Sequence, residues 1–100
     1  MKRIIIGVPF EWDDEKNQIN IRKHGVCFED AIMVFNDDNR IELYDEAHSS
    51  FEDRFAVIGI ANRLLFVNYT VRKNVYRIIS ARIANKKEKK LYYGNNKSYS

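Results

Sequence analysis

The 100-residue sequence is poor in the residues that most often announce a chemistry. It has one cysteine, Cys27, and two histidines, His24 and His48. A lone cysteine excludes an internal disulfide and points to a reducing, cytoplasmic setting. No apolar run approaches the roughly 18–20 residues of a membrane span. Met1-Lys2-Arg3 before Ile4–Val8 has the charge order of a signal peptide, but the run is short and no small-residue cleavage site follows. There is no P-loop, dinucleotide fingerprint, CxxC pair or HExxH motif. The two histidines stand apart and the acidic clusters lack calcium-loop spacing, so neither a metal site nor a cofactor is expected. Cys27, beside a helix start, reads as a structural small residue rather than a nucleophile.

What the chain does have is segregated charge. Residues 1–53 carry six Lys/Arg against thirteen Asp/Glu, a balance of −7. Residues 54–100 carry eleven against one, Glu88, a balance of +10. Such a basic half implies an anionic partner, nucleic acid being the commonest. The competing explanation is that the two halves simply neutralise each other across the fold.

Local signals give an ααββββα order. Phe10–Asp13 reads as a short extended approach. Asp13 is an N-cap, Asp14 and Glu15 suit the first turn, and Lys23, His24 and Gly25 end a helix near His24. Phe28, Ala31, Ile32 and Phe35 form the stripe of a second helix, closed by Asn36–Asn39. Arg40–Tyr44, Arg54–Ala61, Leu64–Val71 and Val75–Ile83 read as strands, the last three joined by hairpins. Lys86–Tyr93 reads as a short basic helix, and 94–100 as a polar tail. The expectation is one α+β domain over 1–93: two N-terminal helices packed on a four-stranded antiparallel sheet, with a short C-terminal helix.

Register decides which side chains meet. A two-residue turn at Asn62-Arg63 sets Leu65 opposite Ile60 and Tyr69 opposite Ala56. A three-residue turn at Arg72–Asn74 sets Tyr69 opposite Arg77 and Ala81 opposite Leu65, gathering Arg54, Tyr69 and Arg77 on one end of a face. A two-residue turn at Lys73-Asn74 would instead bring Ser80 and Arg82 beside Val67 and Leu65; the three-residue turn is the expected one, because it keeps Ile79, Ala81 and Ile83 on the core face.

The candidate chemistry is therefore cationic and polar: Lys23, His24, Arg54, Arg77 and Arg82, with Tyr69, Ser80, Lys86 and Lys87 as further RNA contacts. This suits metal-free RNA cleavage, in which the 2′-hydroxyl is the internal nucleophile and the protein supplies positioning, proton transfer and charge stabilisation. Arginine binds phosphate oxygens bidentately and stays charged; His24 titrates near neutrality and suits an acid or base. Taken singly, each has a structural reading: His24 answering a helix dipole, Arg54 pairing with Glu52 or Asp53, Arg82 ending a strand, Tyr69 in the core.

The linear pattern resembles the BrnT family of type II toxins from about Phe10 to Tyr93. It is carried by Phe10-Glu11-Trp12-Asp13, Asn20 with Lys23-His24-Gly25-Val26, and Phe28-Glu29-Asp30-Ala31 with Val34-Phe35. It continues through Asp45, Glu52, Arg54 and Tyr69-Thr70 to Arg77–Arg82, Ala84, Glu88 and Tyr92. The resemblance implies a RelE-like ribonuclease that arrests growth by cutting RNA. It implies a BrnA-like antitoxin with a ribbon-helix-helix domain, the complex rather than the toxin alone acting on the operator DNA. It points to Lys23, His24, Arg54, Arg77 and Arg82, with Tyr69 and Ser80 nearby. Cys27 stands where a serine is usual, a weaker cap by about 0.5–1 kcal/mol. Two other readings stand beside it: a non-catalytic basic module binding nucleic acid or a protein, and an adaptor using its acidic half.

Overall fold

The computed structural model describes residues 2–5 and 7–95. Among these residues six strands form one mixed sheet in the order β1-β2-β6-β5-β4-β3. The strands are β1 (Lys2–Ile5), β2 (Val8–Glu11), β3 (Ile41–Tyr44), β4 (Arg54–Ala61), β5 (Arg63–Arg72) and β6 (Val75–Ile83). The helices are α1 (Asp14–His24), α2 (Phe28–Ala31) and α3 (Lys86–Asn95). The expected four-stranded antiparallel sheet is corrected: two strands precede α1, and β2 runs parallel to β6 through Phe10↔Tyr76 and Glu11↔Arg77. Phe10–Glu11 is thus the end of a strand. The expected tail begins within α3, and residues 96–100 lie outside the described residues. No helix among the described residues is long and apolar enough to cross a membrane.

The first helix forms as its signals dictate. The Asp13 carboxylate accepts from the Glu15 and Lys16 amides, and Gly25 closes the helix at φ 69°. The second expected helix is different: α2 makes a single turn and continues as a 3-10 helix over Ile32–Asn36. Cys27 makes no side-chain cap; Asn17 of α1 supplies it, its Oδ1 accepting from the Phe28 amide at 2.8 Å. Gly59 lets the 3-10 segment close on β4, since a Cβ there would lie 3.0 Å from Val34 Cβ and 3.1 Å from its carbonyl oxygen.

Both hairpin registers differ from those expected. The β4–β5 turn holds only Asn62, at φ 66°, so Arg63 joins the strand and the pairing slips by one. Leu65 faces Gly59, Tyr69 faces Phe55, and Thr70, not Val71, faces Arg54. The β5–β6 turn is the two-residue Lys73-Asn74, both at positive φ as a type I′ turn requires. A bulge at Asn68/Tyr69 then absorbs one residue: Ile78 faces Tyr69, Ser80 faces Asn68, and Ile79 is the extra residue. The bulge returns Ala81 to the core face, although the turn alone would have turned it away. Ile83, also expected in the core, is exposed.

Each sheet face has its own core. On one, Val57, Leu65, Val67, Ile78 and Ala81 pack under Val26, Phe28, Ala31, Ile32 and Val34. Burial of side chains this size contributes roughly 1.5–3 kcal/mol each. An aromatic row extends this face, with Tyr69 stacked on Tyr76 (5.4 Å) and on Phe55 (5.6 Å). On the other face, Ile58, Leu64 and Phe66 pack with Ala84 and with Tyr92 of α3. The Tyr92 hydroxyl donates to Asp37 Oδ2 at 2.6 Å. Because α3 covers only part of this second face, the part built from the Arg54 end of β4 and the Arg77 end of β6 is left for a site.

Candidate ribonuclease site

Adjacent strands project directly opposed residues from the same face. Arg54 pairs with Thr70, Thr70 with Arg77, and Arg77 with Glu11. These four side chains therefore form one polar row across β4, β5, β6 and β2. Its anchor is Thr70, 1% exposed, whose hydroxyl donates to the Asp53 carbonyl at 2.6 Å. One row on, Asn68 Nδ2 donates to Ser80 Oγ at 3.1 Å. Beyond it Arg82 lies over the Phe66 ring, 4.4 Å from its centroid.

Carboxylates thread this cationic face. Glu11 Oε2 accepts from Arg77 Nη1 at 3.2 Å. Glu52 holds Arg72 through two bonds of 2.7 and 2.9 Å. The bond from Arg72 holds the Glu52 carboxyl below its usual range, with added attraction from Arg54 and Arg77. The acidic half thus neutralises part of the basic half, as the self-pairing explanation requires. Arg54 is held more loosely: it attracts Glu52 through space, but no described residue hydrogen-bonds or ion-pairs its guanidinium.

Arg82 is held by α3. Its guanidinium makes two 2.8 Å bonds to Glu88, whose Oε1 also accepts from the Asn85 amide while Asn85 Oδ1 accepts from the Glu88 amide. Asn85 and Glu88 are therefore a reciprocal capping box, and Arg82 is tied to the start of the helix. Burial raises the Glu88 carboxyl, but Arg82 and the Asn85 amide outweigh it and hold it low. Lys86 and Lys87 follow in the exposed first turn.

Lys23 and His24 lie elsewhere on the same edge. With Lys16, Ile79 and Ser80 they line a cavity of about 180 Å³ between α1 and β6. Asn20 fixes α1 there by acting as a substitute strand: its amide donates to the Ala81 carbonyl (2.8 Å) and accepts from the Ala81 amide (3.1 Å). It also donates to the Val26 carbonyl at 2.8 Å. Ser80 is the residue common to this cavity and the arginine face. Asp13, at the other end of α1, feels Arg77 as well as Lys16.

The structure thus joins Arg54, Arg77, Ser80 and Arg82 on one face, with Lys23 and His24 at its border. Tyr69 does not join them: the one-residue slip turns it to the opposite face, 3% exposed, its hydroxyl donating to Glu42. Burial, then the Glu42 charge, raises its hydroxyl pKa. Sequence reasoning held Glu11, Thr70 and Glu52 in the family pattern without giving them a role in the site, and passed over Asn68 and the pairing of Arg72 with Glu52. Their signal is a repeated dyad of aromatic beside polar: Phe10-Glu11, Arg54-Phe55, Tyr69-Thr70 and Tyr76-Arg77. Strand alternation sends each aromatic to one face and each polar partner to the other. Among the described residues no three His, Cys, Asp or Glu side chains gather so as to hold a metal ion.

The fold and this face define a small α+β domain with arginines gathered on one face of a mixed sheet. The chain belongs to the family of the ribonuclease toxin BrnT of type II toxin–antitoxin systems, whose sequence model matches residues 12–88. It is similar to the Brucella abortus ribonuclease toxin BrnT, known from a 1.1 Å crystal structure. The two share 28% identity with a TM-score of 0.60, over 77% of this chain and 96% of that one. No curated protein matches.

Proposed function

We propose that this chain is a metal-independent endoribonuclease of RelE-like type that arrests growth by cutting RNA. The observation that carries this reading is the Arg54–Thr70–Arg77 row. Two arginines, on the strands either side of β5, flank a buried threonine on one sheet face, an arrangement suited to holding one phosphodiester and its developing charge. Arg82 extends the phosphate track, with Ser80, Lys86 and Lys87 binding the strand beyond it. Lys23 and His24 contact RNA at the α1 border. The internal 2′-hydroxyl supplies the nucleophile, so positioning and charge stabilisation are most of what the protein must add.

The family's place in type II systems implies an antitoxin. We assign it the BrnA-like, ribbon-helix-helix kind, reaching operator DNA only as a complex with the toxin. Purified protein incubated with RNA in excess EDTA tests the catalytic reading. Discrete fragments are expected; intact RNA bound in a salt-sensitive manner would identify a non-catalytic basic module instead.

A further inference from the structure

Cleavage through the 2′-hydroxyl needs a group that takes the hydroxyl proton. The arginines are permanently charged and cannot serve. Of the carboxylates near the arginine row, Asp13 is taken up in capping α1, and the two glutamates differ in their settings. Glu52 has both oxygens bound by Arg72 and is surrounded by the charges of Arg72, Arg54 and Arg77. That environment makes it a weak proton acceptor.

Glu11 is placed otherwise. It ends the row on β2 as the direct partner of Arg77, and its side chain is about one-fifth exposed. Oε2 receives one N–H at 3.2 Å, and no described residue donates to Oε1. Its strand is fixed from behind by Phe10, 1% exposed and packed against Phe35 and Tyr76. The carboxylate therefore stands beside Arg77 on a strand fixed by its core contacts, with one oxygen not bonded by any described residue and a single partner that can let go. His24, the other titratable candidate, lies in the α1 cavity rather than in the row.

We propose that Glu11 is a catalytic residue, the group that accepts the 2′-hydroxyl proton during RNA cleavage. The inference rests on the ribonuclease reading above. When a phosphodiester settles between Arg54 and Arg77, Arg77 turns its donors to the phosphate oxygens and releases the carboxylate. The proton passes from the 2′-oxygen to Glu11 as the 2′-oxygen–phosphorus bond forms. The phosphorus–5′-oxygen bond breaks, and the departing oxygen takes a proton from water. The products are a 2′,3′-cyclic phosphate and a 5′-hydroxyl, and Glu11 returns its proton to solvent.

The test uses the full chain, a defined RNA oligonucleotide and its 2′-O-methyl analogue, which binds but cannot react. Circular dichroism first establishes that the Glu11→Gln and Glu11→Asp proteins are folded. Glu11→Gln should lower kcat by about 10²–10⁴-fold. Its affinity for the 2′-O-methyl RNA should stay within about twofold of wild type, as expected of a group lost from proton transfer alone. Glu11→Asp should recover part of the rate. Wild-type activity should fall toward acid pH, and the residual Glu11→Gln rate should lack that fall. A Glu11→Gln protein cutting within about threefold of wild type, or losing 2′-O-methyl RNA binding in step with its rate, overturns the proposal. If wild-type protein cuts no RNA, the ribonuclease reading itself falls, a result distinct from an active but Glu11-independent enzyme.

Discussion

Arg54 and Arg77 stand on opposite sides of Thr70, each its direct cross-strand neighbour, although 23 residues separate them in the chain. The relation exists only because both hairpins have the registers described. A one-residue slip in either would send one arginine to the aromatic face. Thr70 secures the arrangement by bonding the Asp53 carbonyl beneath the acidic loop.

Thr70→Val keeps the shape and removes that bond. The Asp53 carbonyl loses its donor, at about 1–2 kcal/mol. Urea denaturation should show that loss, and RNA cleavage should fall as the 45–53 loop loosens from β5.

Asn20→Leu should be far more damaging. One buried amide serves Ala81 on both its backbone groups and Val26 on its carbonyl. Its loss leaves several buried polar groups unpaired, and we expect a destabilisation of about 3 kcal/mol or more. Chemical denaturation measures it; a loss below 1 kcal/mol would contradict the role of Asn20 as a substitute strand.

Gly59→Ala tests the packing of the 3-10 segment. The added Cβ meets Val34 Cβ at 3.0 Å and the Val34 carbonyl at 3.1 Å, and a backbone oxygen cannot move aside cheaply. A cost of about 1–3 kcal/mol is expected from overpacking, read as a lower thermal midpoint.

Acid should loosen α3 before the rest of the domain. Burial raises the Asp37 and Glu88 carboxyls, but their hydrogen bonds and ion pairs outweigh it. Asp37 is held below the ordinary carboxylate value by the Tyr92 hydroxyl and the Ile60 and Asn39 amides, and Glu88 likewise by Arg82 and the Asn85 amide. For a carboxyl depressed on folding, the stabilisation is complete above the unfolded value and lost as pH falls through the folded one. Stability should therefore be flat at neutral pH and decline below about 4.5. Helix content followed by circular dichroism from pH 6 to 2 checks this, and Glu88→Gln should flatten part of the decline.

Much of this molecule was legible in its sequence, for reasons that are local. Asp13, Gly25 and the acidic and basic turns define α1; the apolar runs define β4 to β6; the basic segment from Lys86 defines α3. The chain pattern also led to Arg54, Arg77 and Arg82. What escaped was nonlocal. β2 is only four residues, pairs with β1 along its length, and joins the sheet only through parallel pairing with β6, 66 positions away at Glu11↔Arg77. The bulge opposite Asn68/Tyr69 has no turn-residue signature. It decides that Ala81 belongs to the core while Ser80 and Arg82 belong to the site face. The cap of α2 was equally hidden, because Asn17 supplies it from another helix.

The most direct test of the account is RNA cleavage by the Arg54→Ala/Arg77→Ala protein in EDTA, beside wild type and with the fold checked by circular dichroism. Each arginine removed should cost about 10²-fold or more in rate. The double variant should therefore leave RNA intact and no longer arrest growth. A folded double variant that still cuts RNA near the wild-type rate would contradict the arginine row as the site.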